Sequence, residues 1–154
     1  MLLQLKTLFK YNRTNIILLV CLLILFIMLF KFNVISANDD FTRADFFNIL
    51  TINAILAGFL FIGLGILLSS LDKERIARLD MGGYLDKYYV SIYIAIFFNI
   101  LCIICSIMII FNILPLGNTI LIYTVQITTI AGVIFFINSM NGLRRIIKKM
   151  RNSY

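Results

Sequence analysis

Ser91 to Ile113 reads SIYIAIFFNILCIICSIMIIFNI, 23 residues without one charged side chain. About 20 apolar residues carry a helix across the hydrocarbon of a bilayer. In lipid the backbone must bond within itself, so an uncharged block of this length is a helix. Three further blocks match it in length and are uncharged or nearly so: Asn15 to Ile35, Ile49 to Ser70 and Thr119 to Asn141. The expected fold class is therefore all-α, an integral membrane four-helix bundle that fills one domain over residues 1–154. A weak cleavage signal, Ile35-Ser36-Ala37, follows the first block. That block is long for the apolar part of a signal peptide and reads as a span.

The composition agrees. The chain is 62% hydrophobic, whereas soluble domains are about half apolar. A chain of this size cannot bury the excess in one core.

Lysine and arginine set the orientation. Lys6, Lys10 and Arg13 precede the first span. Lys73, Arg75, Arg78 and Lys87 lie between the second and third. Arg144, Arg145, Lys148, Lys149 and Arg151 follow the fourth. These twelve of the fourteen basic residues fall on one side, which reads as cytoplasmic, with both termini inside. The acidic loop Ser36 to Asn48 then faces outward. The net charge of +7 reads as a match to anionic headgroups. Nucleic acid is not an expected direct partner.

The connector, residues 71–90, carries Asp72 with Arg75 and Glu74 with Arg78 at helical pairing distance. Gly82-Gly83 stops that helix, and a new one starts near Tyr84. The expected result is a short cytoplasmic helical hairpin, read either as a solvated loop or as a docking surface. The basic tail, residues 142–154, interleaves Leu143, Ile146, Ile147 and Met150 with its cations, as membrane-surface helices do. Arg75, Arg78, Lys87, Arg144, Arg145, Lys148 and Lys149 are the candidate contacts to a cytoplasmic protein. Tyr84, Tyr88, Tyr89 and Tyr93 read as an interfacial belt.

The spans carry little chemistry. No Asp, Glu, His or Arg lies deep in any of them, which argues against ion-coupled transport. Cys102-Ile103-Ile104-Cys105 is a C-x-x-C, but it lies mid-span, where a thiol stays protonated and inert. A membrane oxidoreductase of this size would need a second, external pair. No catalytic triad, phosphate loop or metal-ligand spacing is present, so the chain is expected to be no enzyme and to hold no cofactor or metal.

Two faces remain. Thr51, Ala54, Gly58, Gly65 and Ser69 form a small-residue face on the second span. Such a face lets helices approach closely, within one protomer or between copies in a homo-oligomer. Asn99, Ser106, Thr124, Gln126, Thr128 and Thr129 form a polar stripe on the third and fourth spans. It reads as structural glue, with Asn99 and Gln126 bonding across helices, or as the lining of a pore between protomers. The first span is nearly featureless and is expected to face lipid.

Ile52-Asn53-Ala54-Ile55-Leu56-Ala57-Gly58-Phe59-Leu60-Phe61, with Gly63, Gly65 and then Gly83-Tyr84-Leu85-Asp86-Lys87-Tyr88-Tyr89, resembles small four-helix membrane proteins of bacterial anti-phage defence systems. The resemblance spans about a quarter of the chain. It implies an oligomeric effector or regulated pore of the bacterial inner membrane, which permeabilises that membrane when a cytoplasmic partner signals. Its alternative implication is a membrane sensor or anchor for a soluble partner, as in the membrane subunit of Kiwa-type defence.

Overall fold

The structure is a computed structural model that describes residues 12–31, 41–69, 84–113 and 119–151. Four helices make up the described residues: α1 (Arg13–Lys31), α2 (Arg43–Ser69), α3 (Tyr84–Ile110) and α4 (Thr119–Arg151). Three of them, α2, α3 and α4, are long and apolar enough to cross a membrane, which marks the chain as a membrane protein. The first is shorter, with 19 residues. The stretch expected to complete it, up to Ile35, lies outside the described residues. So do the N-terminal segment and most of the connector, including Arg75 and Arg78.

Two helix boundaries differ from the sequence reading, and both have local causes. α2 begins at Arg43, inside the segment read as an outer loop. Thr42 and Asp45 close a capping box there: the Thr42 hydroxyl donates to Asp45 Oδ2 at 2.7 Å and the Thr42 amide to the same oxygen at 2.8 Å. The Asp45 amide returns to Thr42 Oγ1 at 3.4 Å. This pairing satisfies donors that a helix start otherwise leaves bare. At the other boundary, α3 stops at Ile110, three residues short of the end of the uncharged block at Ile113. Asn112 sits in the left-handed region at φ 56°. Ile113 N donates to Met108 O, and Asn112 N to Ile109 O. That is a Schellman cap, with asparagine where glycine is usual.

Lipid is as apolar as leucine, so packing here follows shape and polar bonding. α2 turns Phe46, Asn53, Ala57, Leu60, Leu64 and Leu67 inward, at the three- and four-residue steps of one helical face. α3 lies between α2 and α4 and packs against both. Two apolar clusters result. One joins Leu60, Leu64 and Leu67 to Ile92, Ala95, Phe135 and Ile146. The other joins Phe46 to Cys102, Cys105, Ile109, Ile122 and Val125. Asn53, Asn99 and Thr129 lie in sequence between the residues that build these two clusters.

α1 is held differently. Most of its side chains are exposed, as a lipid-facing helix requires, yet Leu22 joins the first cluster. An apolar cleft of about 210 Å³ is lined by Phe26 of α1 and by Ile120, Tyr123 and Ile127 of α4.

Candidate functional site

Polar chemistry gathers at two levels in the interior. The first level includes the start of α1. Asn138 Nδ2 donates to Asn15 Oδ1 at 2.8 Å and to Ser91 Oγ at 2.9 Å. Ser91 and Ser139 share a hydrogen bond of 3.1 Å, and Asn15 reaches Asn12 at 3.3 Å. One amide of α4 thus ties the first turn of α1 to the early part of α3. Apart from Asn15 and Ser91 as the first residues of their blocks, no residue of this group drew notice in the sequence. The signal was available: four short polar side chains at helix positions that otherwise hold Ile, Phe and Leu.

The second level joins α2, α3 and α4. Asn53 is fully buried. Its Nδ2 donates to Ile49 O at 2.8 Å and to Thr129 Oγ1 at 3.3 Å. Thr129 Oγ1 also lies 3.1 Å from Cys102 Sγ. Asn99 is buried to the same degree, and its Nδ2 donates to Ala95 O at 2.7 Å. Both carboxamides are therefore fixed by their own helices, and both Oδ1 atoms are left without a hydrogen-bond partner. Ser106 Oγ, fully buried two turns further along α3, is likewise unpartnered.

These positions revise parts of the sequence reading. Asn99 was expected to bond across helices; it bonds within α3. At this level the cross-helix amide is Asn53, which reaches α4. Of the polar stripe, Asn99, Ser106 and Thr128 are buried inside the protomer, and Thr124, Gln126 and Thr129 are half-buried. The three threonines donate to carbonyls of α4 itself: Thr124 to Ile120, Thr128 to Thr124 and Thr129 to Val125. Such back-bonding leaves a hydroxyl nothing to offer a neighbour as donor.

Tyr88, read as part of an interfacial belt, is buried between glycines. A Cβ on Gly142 would lie 2.9 Å from its ring, and one on Gly63 would lie 3.7 Å from its hydroxyl. Tyr93 is exposed, as a belt residue should be.

The small-residue face of α2 turns away from the protomer. Thr51, Ala54, Gly65 and Ser69 are exposed and Gly58 is half-buried. A Cβ added at Gly58 or Gly65 would meet nothing within 4 Å. Among the described residues, packing within the protomer, one of the two readings of this face, does not use it.

Of the candidate partner contacts, Arg144, Arg145 and Lys148 are exposed on α4. Lys87 and Lys149 lie in α3 and α4, with side chains outside the described set. Cys21, Cys102 and Cys105 are free thiols. Among the described residues, no three His, Cys, Asp or Glu side chains gather to hold a metal ion.

No known protein family, curated protein or solved structure matches this chain.

Proposed function

We propose that the chain is a non-enzymatic, homo-oligomeric inner-membrane protein that acts as an effector or regulated pore in bacterial anti-phage defence. The observation that supports this reading most is the open space around Gly58 and Gly65. Small residues along a membrane helix serve close helix approach, and no helix of the same chain takes up this face among the described residues. A second copy can. The four-span arrangement, with both termini in the cytoplasm, belongs to the same proposal. The defence role rests on the resemblance around Ile52 to Tyr89.

The test has two parts. Native mass spectrometry of the detergent-purified protein should give a species larger than one chain. Cells that express the chain with its trigger should lose membrane potential and admit an impermeant dye. Normal potential and dye exclusion under every triggering condition remove the pore reading.

One feature favours a second reading, a sensor or anchor for a cytoplasmic protein. α4 has 33 residues, about 50 Å at 1.5 Å per residue, against a hydrocarbon core of roughly 30 Å. Its end therefore projects from the bilayer and displays Arg144, Arg145 and Lys148. A soluble protein that copurifies, and is lost when Arg144 and Arg145 or Arg75 and Arg78 are reversed to glutamate, favours this reading. A pure self-oligomer that conducts ions favours the first.

A further inference from the structure

α4 turns one graded strip outward. Ile130 and Ile137 are exposed on it, then Asn141, then Arg144, Arg145 and Lys148. At about 100° per residue, all six fall within one sector of roughly 100°. Ile146 points nearly the opposite way and is buried with Leu67, Leu85 and Tyr88 in the first apolar cluster. On that same inner side, a Cβ on Gly142 would lie 2.9 Å from the Tyr88 ring. The basic end is therefore packed against α3, and the strip faces away from the protomer.

The order of groups along the strip follows the depth of a bilayer. The apolar stretch of α4 starts at Ile120, and about 20 residues cross the hydrocarbon, so the far boundary lies near Met140. The strip changes from apolar to polar at the same place, between Ile137 and Asn141. Headgroups add roughly 5–8 Å to each side of the hydrocarbon. Arg144 and Arg145 are four and five residues past Met140, about 6–8 Å, which puts them in that layer. Lys148 lies beyond it, and a lysine stem can bend back toward the phosphates. From Ile130 to Arg145 the rise is about 22 Å, the thickness of one leaflet with its headgroups.

Charge narrows the occupant. α4 holds no Asp or Glu, and at the start of α3 Asp86 and Lys87 offset each other. Three exposed cations beside one exposed amide suit a phosphate with a second negative or hydroxyl-rich group, above a hydrocarbon chain. Each cation near such a surface contributes about 1 kcal/mol.

We infer that this strip is a binding site for an anionic phospholipid of the leaflet that the end of α4 crosses. Its acyl chain lies along Ile130 and Ile137, its glycerol esters meet Asn141, and its headgroup sits among Arg144, Arg145 and Lys148. The site assigns to a lipid the cations that the anchor reading offers to a soluble protein, and it holds whether or not the chain forms a pore.

The test uses the full chain in mixed vesicles. The sequence contains no tryptophan, so Ile137→Trp supplies a sole fluorescent reporter on the strip. At equal mole fraction, brominated phosphatidylglycerol quenches it more strongly than brominated phosphatidylcholine. An Ile24→Trp reporter on lipid-facing α1 is quenched equally by both. In the Ile137→Trp background, each of Arg144→Gln, Arg145→Gln and Lys148→Gln lowers the relative affinity for phosphatidylglycerol roughly fivefold, the equivalent of about 1 kcal/mol. These positions are exposed, so the melting temperature in detergent stays the same. Equal quenching of the Ile137→Trp reporter by the two lipids overturns the inference, and so does a preference that survives all three replacements. A soluble protein that copurifies through these cations, with no lipid preference at Ile137→Trp, overturns it in favour of the anchor reading.

Discussion

Asn99 Oδ1 occupies the space that a side chain at position 132 would need: a Cβ built on Gly132 falls 2.9 Å from it. The amide cannot rotate away cheaply, because its Nδ2 is bound to Ala95 O. Gly132→Ala therefore forces α3 and α4 apart or breaks that bond. Overpacking of this kind costs about 1–3 kcal/mol, set against the ~1 kcal/mol by which alanine is the better helix former. We expect a lower melting temperature in detergent. Gly65→Ala, which meets open space, should leave it unchanged or raise it. Asn99→Ala should rescue Gly132→Ala, and a double-variant cycle measures the coupling.

The outward face of α2 gives the reverse pattern. A Cβ at Gly58 or Gly65 meets nothing within 4 Å among the described residues, so the monomer carrying Gly58→Leu or Gly65→Leu should melt as before. If copies meet on this face, native mass spectrometry shows a smaller assembly. An unchanged assembly for both variants removes α2 from the interface.

Asn138 holds the start of α1. Asn138→Leu deletes its bonds to Asn15 and Ser91 together. Hydrogen bonds between membrane helices are worth about 0.6 kcal/mol on average and up to ~1.7 each, so a loss of about 1–3 kcal/mol is expected. The diagnostic readout is local: a disulfide engineered between α1 and α4 should form more slowly in Asn138→Leu. Equal rates in both proteins show that Leu22 and its neighbours, rather than the amide, hold α1.

Topology has its own test. In a chain without native cysteines, a cysteine at Asn38 should react with an impermeant maleimide in intact cells. A cysteine at Ser153 should react only after lysis. The opposite labelling reverses the charge-based orientation.

What the sequence made legible was what depends on solvent. Lipid-length blocks at 49–70, 91–113 and 119–141 stand out because water and hydrocarbon treat charge so differently, and α2, α3 and α4 fall on them. The face that each helix turns inward was less legible. Inside a membrane both faces are apolar, so Leu60, Leu64 and Leu67 look no more interior than Phe59 or Ile62, and the small residues of α2 stand out more than its leucines. Asn53 was overlooked for that reason, although it shares the spacing of Phe46 and Leu60. Helix ends were legible only from local motifs. Tyr84 after two glycines was recognised as a start, whereas Thr42 with Asp45 and the stop at Asn112 were hidden by louder signals nearby.

The continuity of α4 couples two distant places. Gly132 and Arg144 are twelve residues apart, about 18 Å along one uninterrupted helix, and the chain's single proline lies outside it. A protein or headgroup that grips Arg144 and Arg145 holds a handle. Asn138, fastened to α1 and α3, is the fulcrum. Because no break separates them, a roll of α4 applied at its basic end would turn Phe135 and Gly132 against α3 by the same angle, and the bonds of Asn138 to α1 and α3 would resist it.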